Sequence, residues 1–250
     1  MEERRNKIIT FVNEHGNITF NELKENFPHV SEMTLRTDLK VLDKEQRLVR
    51  IHGGARSLDK VVGNDDFLKK RFIQNTKAKK IIAKKALEFI ESNTTIFLDS
   101  GSTTTMLAHI LEDKPNIFVT SGLTCAIEIA RLERAKVVLS GGNINRHSLS
   151  VNGIEGIRYI EKINFDIAFI GVTRYSKETS FTCESLEDAE LKQTVIKKSR
   201  KVIVLMDSSK INQRGTYTIC NHNEVDIVIS DNELPEALKH EFRNRGIAVY

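Results

Sequence analysis

The stretch Asp99-Ser100-Gly101-Ser102-Thr103-Thr104 gathers a carboxylate, four hydroxyls and a glycine within six residues. Placed where a strand runs into a helix, such a stretch can ring an anion. Glycine lets the backbone approach, unpaired amides and hydroxyls donate, and the helix dipole favours negative charge. Related short stretches recur downstream: Thr120-Ser121-Gly122, Gly141-Gly142-Asn143, Gly171, and Asp207-Ser208-Ser209-Lys210. Any one of them alone is an ordinary cap or turn. Their recurrence at the ends of successive apolar runs, with Lys210 as a cation, points to a ligand carrying a phosphate. The sequence holds neither a G-x-G-x-x-G fingerprint nor a Gly-Lys-Ser/Thr phosphate loop, so no nucleotide cofactor is expected.

A second chemical group lies near the N-terminus. Ser31 and Thr34 supply hydroxyls, while Arg36, Thr37 and Lys40 fall on the outward side of the helix that Ser31 would cap. A recognition helix in the major groove presents its first residues to base edges, and nearby hydroxyls and cations hold phosphates. The Arg36 fork suits guanine or phosphate. A solvated surface helix would carry the same residue types.

The elements that must position these groups can be read from periodicity. Apolar residues at Ile8, Ile9, Phe11 and Val12 predict a first helix over Arg5–His15, stopped by Gly16-Asn17. Asn21 is placed to cap a second helix, which carries Leu23 and Phe27 and ends at Pro28. The third runs from Ser31 to about Lys44 with Met33, Leu35, Leu39 and Leu42 as its apolar positions. Residues 48–51 and 55–58 flank His52-Gly53-Gly54 as a hairpin. Three helices and a hairpin describe a winged helix-turn-helix over residues 1–58. A polar connector over 59–76 turns helical near Asp66, and a helix from about Lys77 to Ile90 opens a second domain, 77–250. There, apolar runs at 95–99, 116–120, 136–140, 165–171, 201–207, 225–230 and 247–250 alternate with helical stretches near 103–113, 122–133, 153–162, 187–199 and 234–245. Such alternation predicts an α/β domain with a mostly parallel sheet covered on both faces.

Bulk properties narrow the class. The chain is 40% hydrophobic and 29% charged, as expected of a globular protein. Net charge is +4, and the first 80 residues hold 17 Lys and Arg against 12 Asp and Glu, so the positive excess sits beside the expected helix-turn-helix. No apolar run approaches the roughly 18 residues of a membrane span, and the N-terminus lacks a signal peptide's apolar stretch, so a cytoplasmic location is expected. Cys125, Cys183 and Cys220 are odd in number and form no C-x-x-C pair, and no H-x-x-x-H occurs, so neither disulfides nor a metal site is expected.

Val30-Ser31-Glu32-Met33-Thr34-Leu35-Arg36-Thr37-Asp38-Leu39 closely resembles the recognition-helix signature of the DeoR family of bacterial repressors, and Val49-Arg50-Ile51-His52-Gly53-Gly54-Ala55 resembles the wing that follows it. The resemblance implies that Ser31, Thr34, Arg36 and the wing around His52 contact double-stranded operator DNA. Thr37 stands where the family usually carries a second basic residue. The later elements resemble the family's effector domain, which is similar to ribose-5-phosphate isomerase. That likeness implies that Asp99 to Thr104 grip a phosphate with help from Lys210, and that Gly141, Gly142 and Gly171 line the sugar. Ser102 stands for a common Thr, Ser121 for a common Asn that touches a sugar hydroxyl, and Val172 for a common Ala.

A sugar-phosphate isomerase with a DNA-binding appendage is the rival reading. Aldose–ketose isomerisation needs a carboxylate beside the substrate carbons to shuttle a proton. The stretch after Gly171, Val172-Thr173-Arg174-Tyr175-Ser176, holds no carboxylate before Glu178. Asp99 and Glu187 are the remaining acids, the first suited to orienting a loop or a hydroxyl, the second to starting a helix. A sensor rather than an enzyme is therefore expected. A third reading makes the winged helix a protein-binding module. Reading two operator half-sites calls for at least a dimer, whose spacing a sugar phosphate would control.

Overall fold

Leu35, Leu39 and Leu42 lie one turn apart on the third helix, and all three are buried with Ile8, Val12, Ile18, Leu23, Leu48 and Ala55 in one small core. That core belongs to the first of two compact units into which the chain divides between residues 66 and 67. The computed structural model describes residues 2–45, 47–51, 53–57 and 68–250. In the first unit the order is α1 (Glu2–His15), β1 (Asn17–Thr19), α2 (Phe20–Asn26), α3 (Glu32–Lys44), β2 (Val49–Ile51) and β3 (Gly54–Arg56). The strands form an antiparallel sheet in the order β1-β3-β2, the wing of a winged helix-turn-helix. A Cβ on Gly54 would stand 2.0 Å from the Ile18 carbonyl oxygen, so the close approach of β1 to β3 admits only glycine.

Two local features differ from expectation. Thr19, not Asn21, caps α2: its hydroxyl accepts from the Glu22 amide at 3.2 Å, and its own amide donates to Glu22 Oε2 at 2.6 Å. This reciprocal box satisfies two otherwise orphaned donors, which a lone Asn21 side chain could not do. Met33 is not a core residue but is 80% exposed. It lies two residues before Leu35, roughly 200° around the helix from the buried stripe.

The buried face of α3 also holds a charge. Asp38, 2% exposed, accepts from Arg4 Nε at 2.7 Å and Arg5 Nε at 2.9 Å, tying α3 to α1. Burial pushes the Asp38 carboxyl up, but the hydrogen bonds and charges of Arg4 and Arg5 outweigh it and hold it below its ordinary value.

The second unit is built on a seven-stranded parallel sheet. Its elements begin with α4 (Leu68–Ile73) and α5 (Thr76–Leu87), then β4 (Thr95–Leu98), α6 (Ser102–His109), β5 (Ile117–Thr120), α7 (Leu123–Ile129) and β6 (Lys136–Leu139). A two-stranded hairpin, β7 (Asn143–Ile144) with β8 (Val151–Asn152), leads into α8 (Ile154–Ile160) and β9 (Ile167–Gly171). Then follow β10 (Arg174–Ser176), β11 (Ser180–Cys183), α9 (Leu186–Lys197), β12 (Val202–Leu205), β13 (Tyr217–Cys220), β14 (Ile227–Ile229), α10 (Glu236–Asn244) and β15 (Ala248–Val249). The start of the helix expected near Asp66 lies outside the described residues.

The sheet order is β15-β14-β12-β9-β4-β5-β6, every neighbouring pair parallel. Alternation along the strands sorts the side chains into two layers. Ile96, Leu98, Phe118, Phe169, Ile203 and Leu205 pack under α5, α6 and α7. Phe97, Val119, Ala168, Ile170 and Val204 face α8, α9 and α10. From β4 the chain builds outward to β5 and β6, then returns to place β9 on the other side of β4 and builds outward again to β15. The direction of winding thus reverses between β4 and β9, where such sheets open a crevice beyond the strand ends. The small antiparallel sheet β10-β11-β13 is an addition that periodicity did not reveal.

Candidate functional site

On α3, Glu32, Met33, Arg36, Thr37 and Lys40 line a shallow groove together with Arg50 of β2. Ser31 is the N-cap: its hydroxyl accepts from the Thr34 amide at 3.2 Å and lies 2.8 Å from the Thr34 hydroxyl. Both hydroxyls therefore organise the start of the helix and remain at its surface. The Arg36 guanidinium sits over the Phe20 ring, 4.2 Å from its centroid, which fixes the side chain beside the groove. Thr37 Oγ1 donates to the Met33 carbonyl oxygen at 2.8 Å. His52 lies outside the described residues.

In the second unit, β4 is followed directly by Asp99, which is fully buried. Its Oδ2 accepts from Lys192 Nζ at 2.8 Å and from the Gly171 amide at 2.9 Å, while Lys192 also donates to the Gly171 carbonyl oxygen at 2.9 Å. The ends of β4 and β9 and the buried side of α9 are thereby pinned together at the reversal of the sheet. Burial pushes the Asp99 carboxyl up against the pull of Lys192. Burial opposes the charge on Lys192 as well, but Asp99 and its other neighbours hold that ammonium above its ordinary value. Asp99 Oδ1 is buried and accepts from no donor among the described residues. The same holds for Asn152 Oδ1, whose amide nitrogen donates to Asp188 Oδ1 and to Ser150 Oγ at 2.9 Å.

The neighbouring loop forms the N-terminus of α6. Gly101 is the N-cap without a side-chain cap, and the Thr104 and Thr105 hydroxyls both donate to its carbonyl oxygen. Thr104 is thus spent on shaping the loop. Among the described residues, the amides of Ser102, Thr103 and Thr104 meet no acceptor, as expected of the first positions of a helix. Thr120 Oγ1 accepts from the Gly122 amide at 3.0 Å, and Ser121 is buried beside it. Gly122 lies against Ser100, where a Cβ would come within 3.0 Å of the Ser100 Cα. Gly142 has φ +114°, and a Cβ there would stand 2.3 Å from the Asn152 carbonyl oxygen, so Gly141-Gly142 brings bare backbone against the hairpin that carries Asn152.

Asp99, Ser100, Gly122 and Gly171 are therefore brought together where β4, β5 and β9 end, and Ser102–Thr104 follow as the first turn of α6. Lys210 belongs to another strand end. It closes the single turn Ser208–Lys210 after β12, with β9 standing between β12 and β4. Asp207 in that turn accepts from Asn75 Nδ2 at 3.0 Å, and a groove lined by Asn75, Lys77, Asp207, Ser208 and Asp231 opens beside it. The cation on Asp99 is Lys192, which the sequence reading missed. Its signal was its place in the apolar spacing Ala189, Lys192, Val195 and Ile196, all of them buried. Glu187 is exposed and accepts from Ser185 Oγ at 2.8 Å at the start of α9.

A winged helix-turn-helix joined to a doubly wound α/β domain with a buried polar cluster at its strand ends defines the class: a transcriptional regulator with a sensing domain. Residues 4–61 match the DeoR-like helix-turn-helix domain and residues 74–232 match the DeoR C terminal sensor domain. The chain belongs to the DeoR family of DNA-binding transcriptional regulators. It is 34% identical over 251 residues to the HTH-type transcriptional regulator GolR of Listeria innocua, covering 99% of this chain and 97% of that one. The glycerol-3-phosphate regulon repressor of Escherichia coli is 29% identical over 248 residues, covering 99% and 97%. Among solved structures, ribose 5-phosphate isomerase A from Methanocaldococcus jannaschii superposes over 53% of each chain with a TM-score of 0.39 and 18% identity. Among the described residues no helix is long and apolar enough to cross a membrane.

Proposed function

We propose that this regulator is a repressor whose hold on operator DNA is set by a phosphorylated sugar or polyol bound where β4 and β9 end. The observation that carries the reading is the buried, unpartnered Asp99 Oδ1 together with the unbonded first amides of α6, the helix that follows it in the chain. A buried acceptor without a donor costs roughly 1–3 kcal/mol, and a ligand hydroxyl relieves it. The amides of Ser102 to Thr104 suit an anion at the positive end of the helix. A ligand with hydroxyls at one end and a phosphate at the other meets both demands. The name of the glycerol-3-phosphate relative concerns a compound of this kind.

Sensing is favoured over isomerisation by the state of the acids. Asp99 is clamped by Lys192 and the Gly171 amide, and Glu187 is exposed on the start of α9. Asp99 serves as an acceptor for hydroxyls rather than as a mobile base. The regulator acts as a homo-oligomer of at least two chains, because two recognition helices must meet two half-sites.

Thermal unfolding of the full chain against matched pairs of phosphorylated and unphosphorylated sugars and polyols tests the reading. At least one phosphorylated member raises the midpoint and changes operator affinity, while its unphosphorylated partner does neither. Equal shifts for both members of every pair would overturn it, and conversion of any phosphorylated sugar by the pure protein would restore the enzyme.

A further inference from the structure

Met33 is 80% exposed at the second position of α3, while the apolar residues Leu35, Leu39 and Leu42 of the same helix are buried. One turn on, Thr37 spends its hydroxyl on the Met33 carbonyl oxygen at 2.8 Å, which leaves its methyl group as the part available for contact. Met33 and Thr37 share their groove with the cations Arg36, Lys40 and Arg50 and with Glu32, whose charge is paired with Lys24. The surface is thus an apolar spot inside a cationic rim. Cations of this kind meet phosphates. The occupant of the centre must then be an apolar group presented between two phosphate backbones. In the major groove that group is the 5-methyl of thymine.

We infer that Met33, with the Thr37 methyl, reads a thymine methyl in each operator half-site, and that this contact is a determinant of sequence preference. The inference rests on α3 being the base-reading helix. A thioether chain is suited to the task, because it is flexible and polarisable enough to settle on a methyl group.

The test uses the full chain and a duplex that it recovers from a randomised pool, with each thymine of a half-site replaced in turn by deoxyuridine. Uracil differs from thymine only in lacking the methyl group. Wild type should lose about three- to tenfold in affinity at one or two adjacent positions, the scale of one buried methyl contact. Met33→Ala should bind the thymine and uracil duplexes equally while keeping the salt dependence of wild type, since no phosphate contact is lost. Thr37→Ser keeps the hydroxyl bond but lacks the methyl group and should weaken discrimination at the same position. Met33 is exposed, and unchanged thermal unfolding of both variants checks the fold. If wild type tolerates every uracil, or if Met33→Ala still discriminates, the assignment is wrong and the exposed methionine packs on protein. If wild type recovers no specific duplex at all, the underlying reading of α3 fails instead.

Discussion

Replacing Lys192 by methionine removes a buried ammonium of similar length and leaves the rest of α9 intact. The pair it forms with Asp99 is 2.8 Å long, with side chains 7% and 0% exposed. At that distance and an effective dielectric constant of about 20 the attraction is about 6 kcal/mol, much of it offset by desolvation of both ions. Breaking the pair from one side leaves the carboxylate buried and without its cation, which costs about 3–5 kcal/mol. Denaturant unfolding of Lys192→Met should therefore show a loss in that range, and the double variant Lys192→Met/Asp99→Asn should regain most of it. The pH dependence has a definite sign. A carboxyl whose folded-state pKa lies above its unfolded value favours the folded state at low pH and loses that contribution as pH rises through the folded value. Asp99 is already raised by burial, and without Lys192 it rises further. The single variant should thus lose stability more steeply than wild type as pH rises above about 4, and the double variant should not. A loss below about 1 kcal/mol, or a double variant as unstable as the single one, would refute the claim that this pair holds the ends of β4 and β9 together.

Asp38→Asn should destabilise the DNA-binding unit by about 1–3 kcal/mol in denaturant unfolding, since the partly exposed Arg4 and Arg5 lose their charged partner. The depressed carboxyl of Asp38 contributes stability above its ordinary value of 3.8 that is lost as pH falls through the folded value, so the variant should show a weaker acid dependence in the same assay. Arg36→Ala should cost about 1–3 kcal/mol of operator binding in a mobility-shift titration while leaving ligand binding unchanged. Gly54→Ala places a methyl group 2.0 Å from the Ile18 carbonyl oxygen and should unpair the wing; circular dichroism and operator binding of this variant should both fall.

What the sequence disclosed depended on whether a feature was local. Asp99 to Thr104 could be read because the motif, its strand and its helix are contiguous, and the helix start is where it was expected. Lys192 could not, because pairing it with Asp99 requires knowing that β9 lies beside β4 and that α9 covers that face. Periodicity did hold the clue of a cation in an apolar register. Met33 was misplaced for the opposite reason: a methionine near Leu35 looks like core until the helix is wound and the two fall on opposite sides. The sheet β10-β11-β13 escaped because its strands are 3–4 residues long and buried on both faces in part, which leaves no alternation to read. The capping of α2 turned on a reciprocal pair, Thr19 with Glu22, which outcompetes the nearer single candidate Asn21.

The reversal of the sheet between β4 and β9 has a further consequence for how such a regulator diversifies. Main chain approaches closely at Gly122 and Gly142, where a Cβ would stand 3.0 Å from the Ser100 Cα and 2.3 Å from the Asn152 carbonyl oxygen. The groups with unmet hydrogen bonds come from separate parts of the chain: the carboxylate at the tip of β4, the amides of α6 and the hairpin carrying Asn152. On the proposed reading, exchanging a residue on the hairpin would alter which hydroxyl pattern is accepted while leaving the contacts of the seven-stranded sheet in place. If the proposed effector binds there, retention of the sheet and a change of effector are therefore separable.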